Sequence, residues 1–195
     1  AALYTELGKT KGRAGAMVSI GTTHSDLGEP DKAVTELGIA IDLYRQLGRD
    51  SEGETVLRSA LVASPREAAT HHALGLTLSR LKRPDDTLAE LRNAAELEPD
   101  HPRYWNEYGV ALHQGGDVEG AADAYRSALR FDPRYALAYN NLGVALDDLG
   151  DADGARDALV RASEIDPTLS RAARNLGLWH LQRENPLAAM KVLRD

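Results

Sequence analysis

The chain has 195 residues, a formal net charge of −7 and 43% hydrophobic residues, with a single Phe and two Trp, so Ala, Leu and Tyr must do most of the packing. Lys and Arg are interspersed with Asp and Glu instead of gathered in one stretch, which removes the electrostatic footprint of a nucleic-acid binder. There is no cysteine, which excludes disulfides, thiolate nucleophiles and Cys-ligated metal centres, and no apolar run approaches the ~20 residues of a membrane-spanning helix.

The compartment stays open between the cytoplasm and export. The N-terminus lacks the charged-then-apolar pattern of a secretion signal, and a start at Ala1 without Met fits a processed product or an excised piece.

In residues 1–48, Leu3-Tyr4 and Leu7-Gly8 return as Leu43-Tyr44 and Leu47-Gly48 with their internal spacing unchanged, a longer step than the one kept downstream. Between them Ala16, Ile20 and Leu27 keep helical spacing and Gly28 offers a left-handed stop, so a helix is predicted over about 13–27. Pro30 suits a first helical turn, and Ala33, Leu37, Ala40, Ile41 and Tyr44 form one apolar stripe. A second, long helix over 30–47 follows, with Gly38 as its weak point. Val56, Leu57, Ala60 and Leu61 share a face of a third helix that stops at Ser64-Pro65. Counted back from the register downstream, the helix at 30–47 falls where a first helix belongs, yet its sequence resembles a second one. A splice between two repeat subtypes is therefore expected near residues 48–53.

From Pro65 the chain is periodic. Gly75, Gly109, Gly143 and Gly177 recur at one constant step, and Pro65, Pro99, Pro133 and Pro167 keep the same step. Two independent markers in one register are the signature of a stacked repeat array, in which each unit buries its apolar face on its neighbours. First helices are predicted near 68–81, 102–114, 136–148 and 170–182, and second helices near 84–97, 117–130 and 152–164. Gly116-Asp117 and Gly150-Asp151 should close tight turns, with Asp capping the next helix. Lys82-Arg83-Pro84 and Glu184-Asn185-Pro186 use proline at the first helical position instead. A short last helix from Pro186 would leave an apolar end face, a route to self-association. The expected organisation is one continuous solenoid, with longer repeats of uncertain register over 1–50 and a regular array over 51–195 that ends in a truncated unit.

The array resembles the tetratricopeptide repeat family. Trp105, Tyr108, Gly109, Leu112, Ala121, Tyr125, Ala128 and Pro133 fill the family's places in one unit. Tyr139, Leu142, Gly143, Leu146, Ala155, Leu159, Ala162 and Pro167 fill them in the next. Residues 1–48 look more like the longer repeats of kinesin light chains. The resemblance implies an all-α fold, a right-handed α-solenoid of antiparallel helix pairs, whose first helices line a concave groove that binds an extended peptide or a partner protein. It also implies which places face that groove. In this chain they include His72 and Arg80, then Arg103, Asn106, Glu107, Val110 and His113, then Asn140, Asn141, Val144, Asp147 and Asp148, then Arg171, Arg174 and Asn175.

Asn141 and Asn175 occupy one place in successive units, and a side-chain amide can donate to and accept from a peptide backbone at once. The carboxylate clamp known in chaperone-binding members has no match, because Val110, Val144 and Leu178 stand where its asparagine would sit and the groove places hold no Lys. Arg103, Arg171 and Arg174 would pair with acidic groups, Asp147 and Asp148 with basic ones.

No two histidines have the i, i+4 spacing of a helical zinc site. His113 could meet Asp147 or Asp148 across neighbouring helices, in a structural or solvated role. Neither a metal, a cofactor nor a catalytic constellation is expected. The reading is a protein-interaction scaffold or adaptor; the alternatives are an interaction domain cut from a larger regulator or enzyme, and a scaffold subunit that stacks through its end faces.

Overall fold

The protein is described by a computed structural model over residues 12–20, 23–24, 30–183 and 190. Among these residues every regular element is a helix, and none is long and apolar enough to cross a membrane. The chain divides into two compact units, Ala1–Glu98 and Pro99–Asp195. The first holds α1 (residues 12–20), α2 (Pro30–Gln46), α3 (Asp50–Ala63), α4 (Ala68–Arg80) and α5 (Pro84–Leu97). The second holds α6 (Pro102–Gln114), α7 (Val118–Phe131), α8 (Ala136–Asp148), α9 (Ala152–Ile165) and α10 (Ser170–Gln182). The helix predicted over about 13–27 is helical at 12–20 and 23–24; the rest of it, the Leu3-Tyr4 pair and the expected last helix from Pro186 lie outside the described residues.

Local chemistry explains where the second helices stop. Ser64, Glu98, Asp132 and Asp166 each precede a proline, and each has an extended ψ between 77° and 92°. The proline ring forbids helical angles at the residue before it. The N–H of each cap still reaches back one turn, to the carbonyl of Ala60, Ala94, Ala128 or Ala162.

The turns inside each pair are equally regular. Gly48, Gly116 and Gly150 are left-handed, at φ 66°, 89° and 82°, and Lys82 holds the same place at φ 57°. Asp117 and Asp151 then cap α7 and α9, each accepting the N–H three residues on, from Gly120 and Gly154 at 3.0 Å. These four turn residues stand one repeat step apart, and so do the starts of α3, α5, α7 and α9. In the helix bounds, then, the register runs back through residues 48–53 without a slip. What differs is α2: it starts one turn earlier than its counterparts, and it continues through Gly38.

In the first unit α2 packs on α3, α3 on α4 and α4 on α5. Leu57, Leu74 and Leu78 form its interior with Ile41, Leu61 and Ala73 against them, beside a second cluster of Ala14, Ala40, Tyr44, Val56 and Ala60. In the second unit α6 pairs with α7 and α8 with α9, while α7 packs on α8 and α9 on α10. Close approach within a pair depends on the periodic glycine: a Cβ at Gly109 would stand 2.6 Å from the Tyr125 ring, and at Gly75 or Gly143 2.7 Å from Leu91 or Leu159. The first helices of the second unit also touch one another, α6 against α8 and α8 against α10. That row carries most of the predicted binding residues.

Candidate functional site

The row is joined from within by its asparagines. Asn141 Nδ2 donates to Asn106 Oδ1 at 3.0 Å, and Asn175 Nδ2 donates to Asn140 Oδ1 at 2.9 Å. Asn140 Nδ2 in turn donates to Asn141 Oδ1 at 3.1 Å. Asn106 and Asn140 are each 1% exposed, so these amides are removed from water and satisfied by one another, as buried polar groups must be. The amides expected to read a peptide backbone are engaged first in holding α6, α8 and α10 side by side.

The acidic residues of the row are also engaged. His113 Nε2 lies 2.7 Å from Asp148 Oδ2, the meeting across neighbouring helices that the sequence raised. Arg183 donates to Asp147 Oδ1 at 2.5 Å. Glu107 is half-buried, and that burial raises its carboxyl pKa against the opposing charge of Arg103. Burial, and then the charge of Glu107, push up the Tyr125 hydroxyl. The arginines behave differently. Arg103, Arg171 and Arg174 are exposed, and none forms an ion pair among the described residues.

Val110, Val144 and Leu178 occupy the ninth place of α6, α8 and α10. The two valines are half-buried and Leu178 is 49% exposed, which leaves an apolar stripe across three neighbouring helices. Beside it opens a cavity of about 370 Å3 lined by Val110, His113, Gln114, Tyr125, Asn141 and Arg171. Five of these six are side chains of the first helices; Tyr125 reaches it from α7 over Gly109.

The two predicted residues of the first unit are placed otherwise. His72 is buried. Arg80 is held by Asp50 of α3 at 2.8 Å and also donates to Thr77 Oγ1. Neither is brought to the cavity. His71, which the sequence did not single out, is buried between Glu90 Oε2 at 2.6 Å and the Pro65 carbonyl at 3.0 Å. Trp105 stands one repeat later and donates Nε1 to the Pro99 carbonyl at 2.8 Å, so the fourth place of both units ties down the preceding proline turn. The repeat spacing that equates His71 with Trp105, and Pro65 with Pro99, is the signal that could have revealed it. Among the described residues no three His, Asp or Glu side chains gather as a metal site.

Two tetratricopeptide repeat family models match the sequence, over residues 72–136 and 111–176, together more than half of the chain. The chain belongs to the tetratricopeptide repeat family. No curated protein sequence matches it significantly, while solved structures do match the fold. One is MamA, with a TM-score of 0.71 at 25% identity over 79% of this chain and 90% of that one. Another is BtubC (BKLC) from P. vanneervenii, with a TM-score of 0.83 at 20% identity over 96% and 88%. A third is YrrB, a tetratricopeptide protein with an unusual peptide-binding site, with a TM-score of 0.62 at 22% identity over 88% and 96%. The chain is thus an all-α tetratricopeptide solenoid, and family and fold are those of a protein-interaction scaffold.

Proposed function

We propose that the second unit of this tetratricopeptide array binds an extended segment of a partner protein across α6, α8 and α10. The observation that carries the reading is the open cavity of about 370 Å3 beside the Val110–Val144–Leu178 stripe. Its lining is mostly polar, with Val110 and the Tyr125 ring as its apolar part, so it sets groups able to orient a ligand beside the apolar stripe. The likeness to YrrB, a tetratricopeptide protein with an unusual peptide-binding site, supports it by analogy of fold. The groups that line the cavity bind and orient; none is arranged as a nucleophile beside a base, and the role is recognition, not catalysis.

The asparagines are poor positions for a test, because alanine at Asn141 or Asn175 would loosen the helix row as well as any ligand. Val144→Glu places a charge in the middle of the stripe while leaving the amide bonds in place. In a selection from a displayed random-peptide library, peptides recovered on the wild-type chain should lose binding to this variant while its far-UV circular dichroism is unchanged. Peptides that bind both chains equally would refute the groove.

A further inference from the structure

We infer that the segment this groove takes is internal, acidic and apolar at every third residue, so that its carboxylate pairs with Arg171 while its apolar side chains follow Val110, Val144 and Leu178. The inference rests on the groove reading above and adds the chemistry of the occupant. Three observations lead to it.

The first is charge. Two carboxylates of the row have partners within the chain, Asp147 with Arg183 and Asp148 with His113, and the third, Glu107, is half-buried with its charged form disfavoured by that burial. Arg171 lines the cavity, is exposed and has no ion-pair partner among the described residues. Although the whole chain is acidic, the charge this face offers a ligand is that of a guanidinium, which recognises carboxylates through paired N–H donors.

The second is spacing. Packed helices lie ~8–10 Å apart, so successive ninth-place side chains on α6, α8 and α10 should be separated by about that distance. An extended polyproline-type segment advances ~3.1 Å per residue and repeats its face every third residue, roughly 9 Å. A β-strand repeats its face every second residue, roughly 7 Å. The three-residue period falls within that helix spacing and the two-residue period falls short of it.

The third is the engagement of the asparagines. Their amides close a set of bonds between helices, which leaves the stripe and the arginine as the groups that discriminate among ligands. Gln114 lines the cavity beside Arg171, so a side-chain carboxylate there would meet an amide and a guanidinium and needs no free chain end.

The test uses three labelled peptides of about ten residues, enough to cross three helices at ~3.1 Å per residue, acetylated and amidated so that no terminal charge is present. One has leucines at every third position with glutamates between, one replaces the glutamates by lysines, and one keeps the glutamates with leucines at every second position. Fluorescence anisotropy is measured on the full 195-residue chain. The first peptide should bind at least about tenfold more tightly than either other, the scale of one charge-assisted hydrogen-bonded pair. Arg171→Glu should reverse the preference between glutamate and lysine peptides, and affinity should fall with added salt.

Equal binding of the lysine peptide, or indifference of the glutamate peptide to Arg171→Glu, overturns the acidic occupant; equal binding of the alternate-spacing peptide overturns the period. If all binding in those cases is lost in Val144→Glu, the groove reading stands without this refinement. Binding that ignores Val144→Glu overturns both. Binding by none of the three overturns the inference, and the library selection still decides the groove separately.

Discussion

At the residue scale, Glu107 shows how one side chain reports its surroundings. Its carboxyl is raised by burial, so the folded chain holds a proton that the unfolded chain has already released as pH rises through that interval. Proton uptake by the native state makes stability fall as pH rises through the interval. Glu107→Gln should therefore gain melting temperature over wild type at pH 7 and lose that gain as pH falls below the ordinary glutamate range, where the carboxyl is protonated in the folded and the unfolded chain alike; a constant difference across a pH series of thermal melts would contradict the assignment. The sequence placed Glu107 on the first helix and could not show that it faces Tyr125 and Tyr135. The same holds for the asparagines. Their shared place in successive units was legible, but their partners lie 35 residues away across a helix–helix contact, and a periodic pattern carries no information about lateral packing.

At the scale of helices and turns, the sequence was read to within about one residue wherever a chemical stop was present. Proline ends the second helices, and the aspartate caps start α7 and α9. The one element with conflicting signals was α2, which the register makes a first helix and whose long apolar stripe looks like a second; it is followed by the same left-handed turn, at Gly48, as the first helices downstream. Lys82 holds that turn with a Cβ at φ 57°, a conformation that costs a non-glycine residue roughly 1–2 kcal/mol, part of which glycine would give back through its freer unfolded chain. Lys82→Gly should raise stability by about 0.5–1 kcal/mol in urea denaturation. For the amide bonds between helices, a double-mutant cycle of Asn106→Ala and Asn141→Ala should show coupling of about 1 kcal/mol. Additive losses would mean that the two amides act apart.

At the scale of the whole molecule, a repeat array has no central core, and its stability is a sum over pairs and their neighbours. Within the second unit α8 is the most enclosed element, in contact with α6, α7, α9 and α10. Local opening is cheapest where such contacts are few. Native-state hydrogen exchange should find the slowest amides of that unit in α8, with α10 exchanging faster; uniform protection across the unit would indicate a single cooperative block. Composition and charge bear on the class of partner, while ligand preference was hidden. In the proposed groove it would depend on which charges of the row are already paired, and the pairs of Arg183 with Asp147 and His113 with Asp148 form only once the chain is folded.

The left-handed turn at Gly48, Lys82, Gly116 and Gly150 has a consequence for the growth of such chains. Because the backbone enters and leaves this point with the same geometry in every pair, it works as a standard coupling. A duplication or deletion of one whole repeat with its joints here would change the number of pairs without asking any joint to adopt a new shape. The cost of such an event would fall on the side chains that meet afresh. Joining Gly116 directly to Asp151, for instance, would set Gly109 against Leu159 in place of Tyr125, and the cavity beside Val110 would lose the ring at its base. Lengthening or shortening the array is mechanically simple, and each such event would rewrite what the groove can hold.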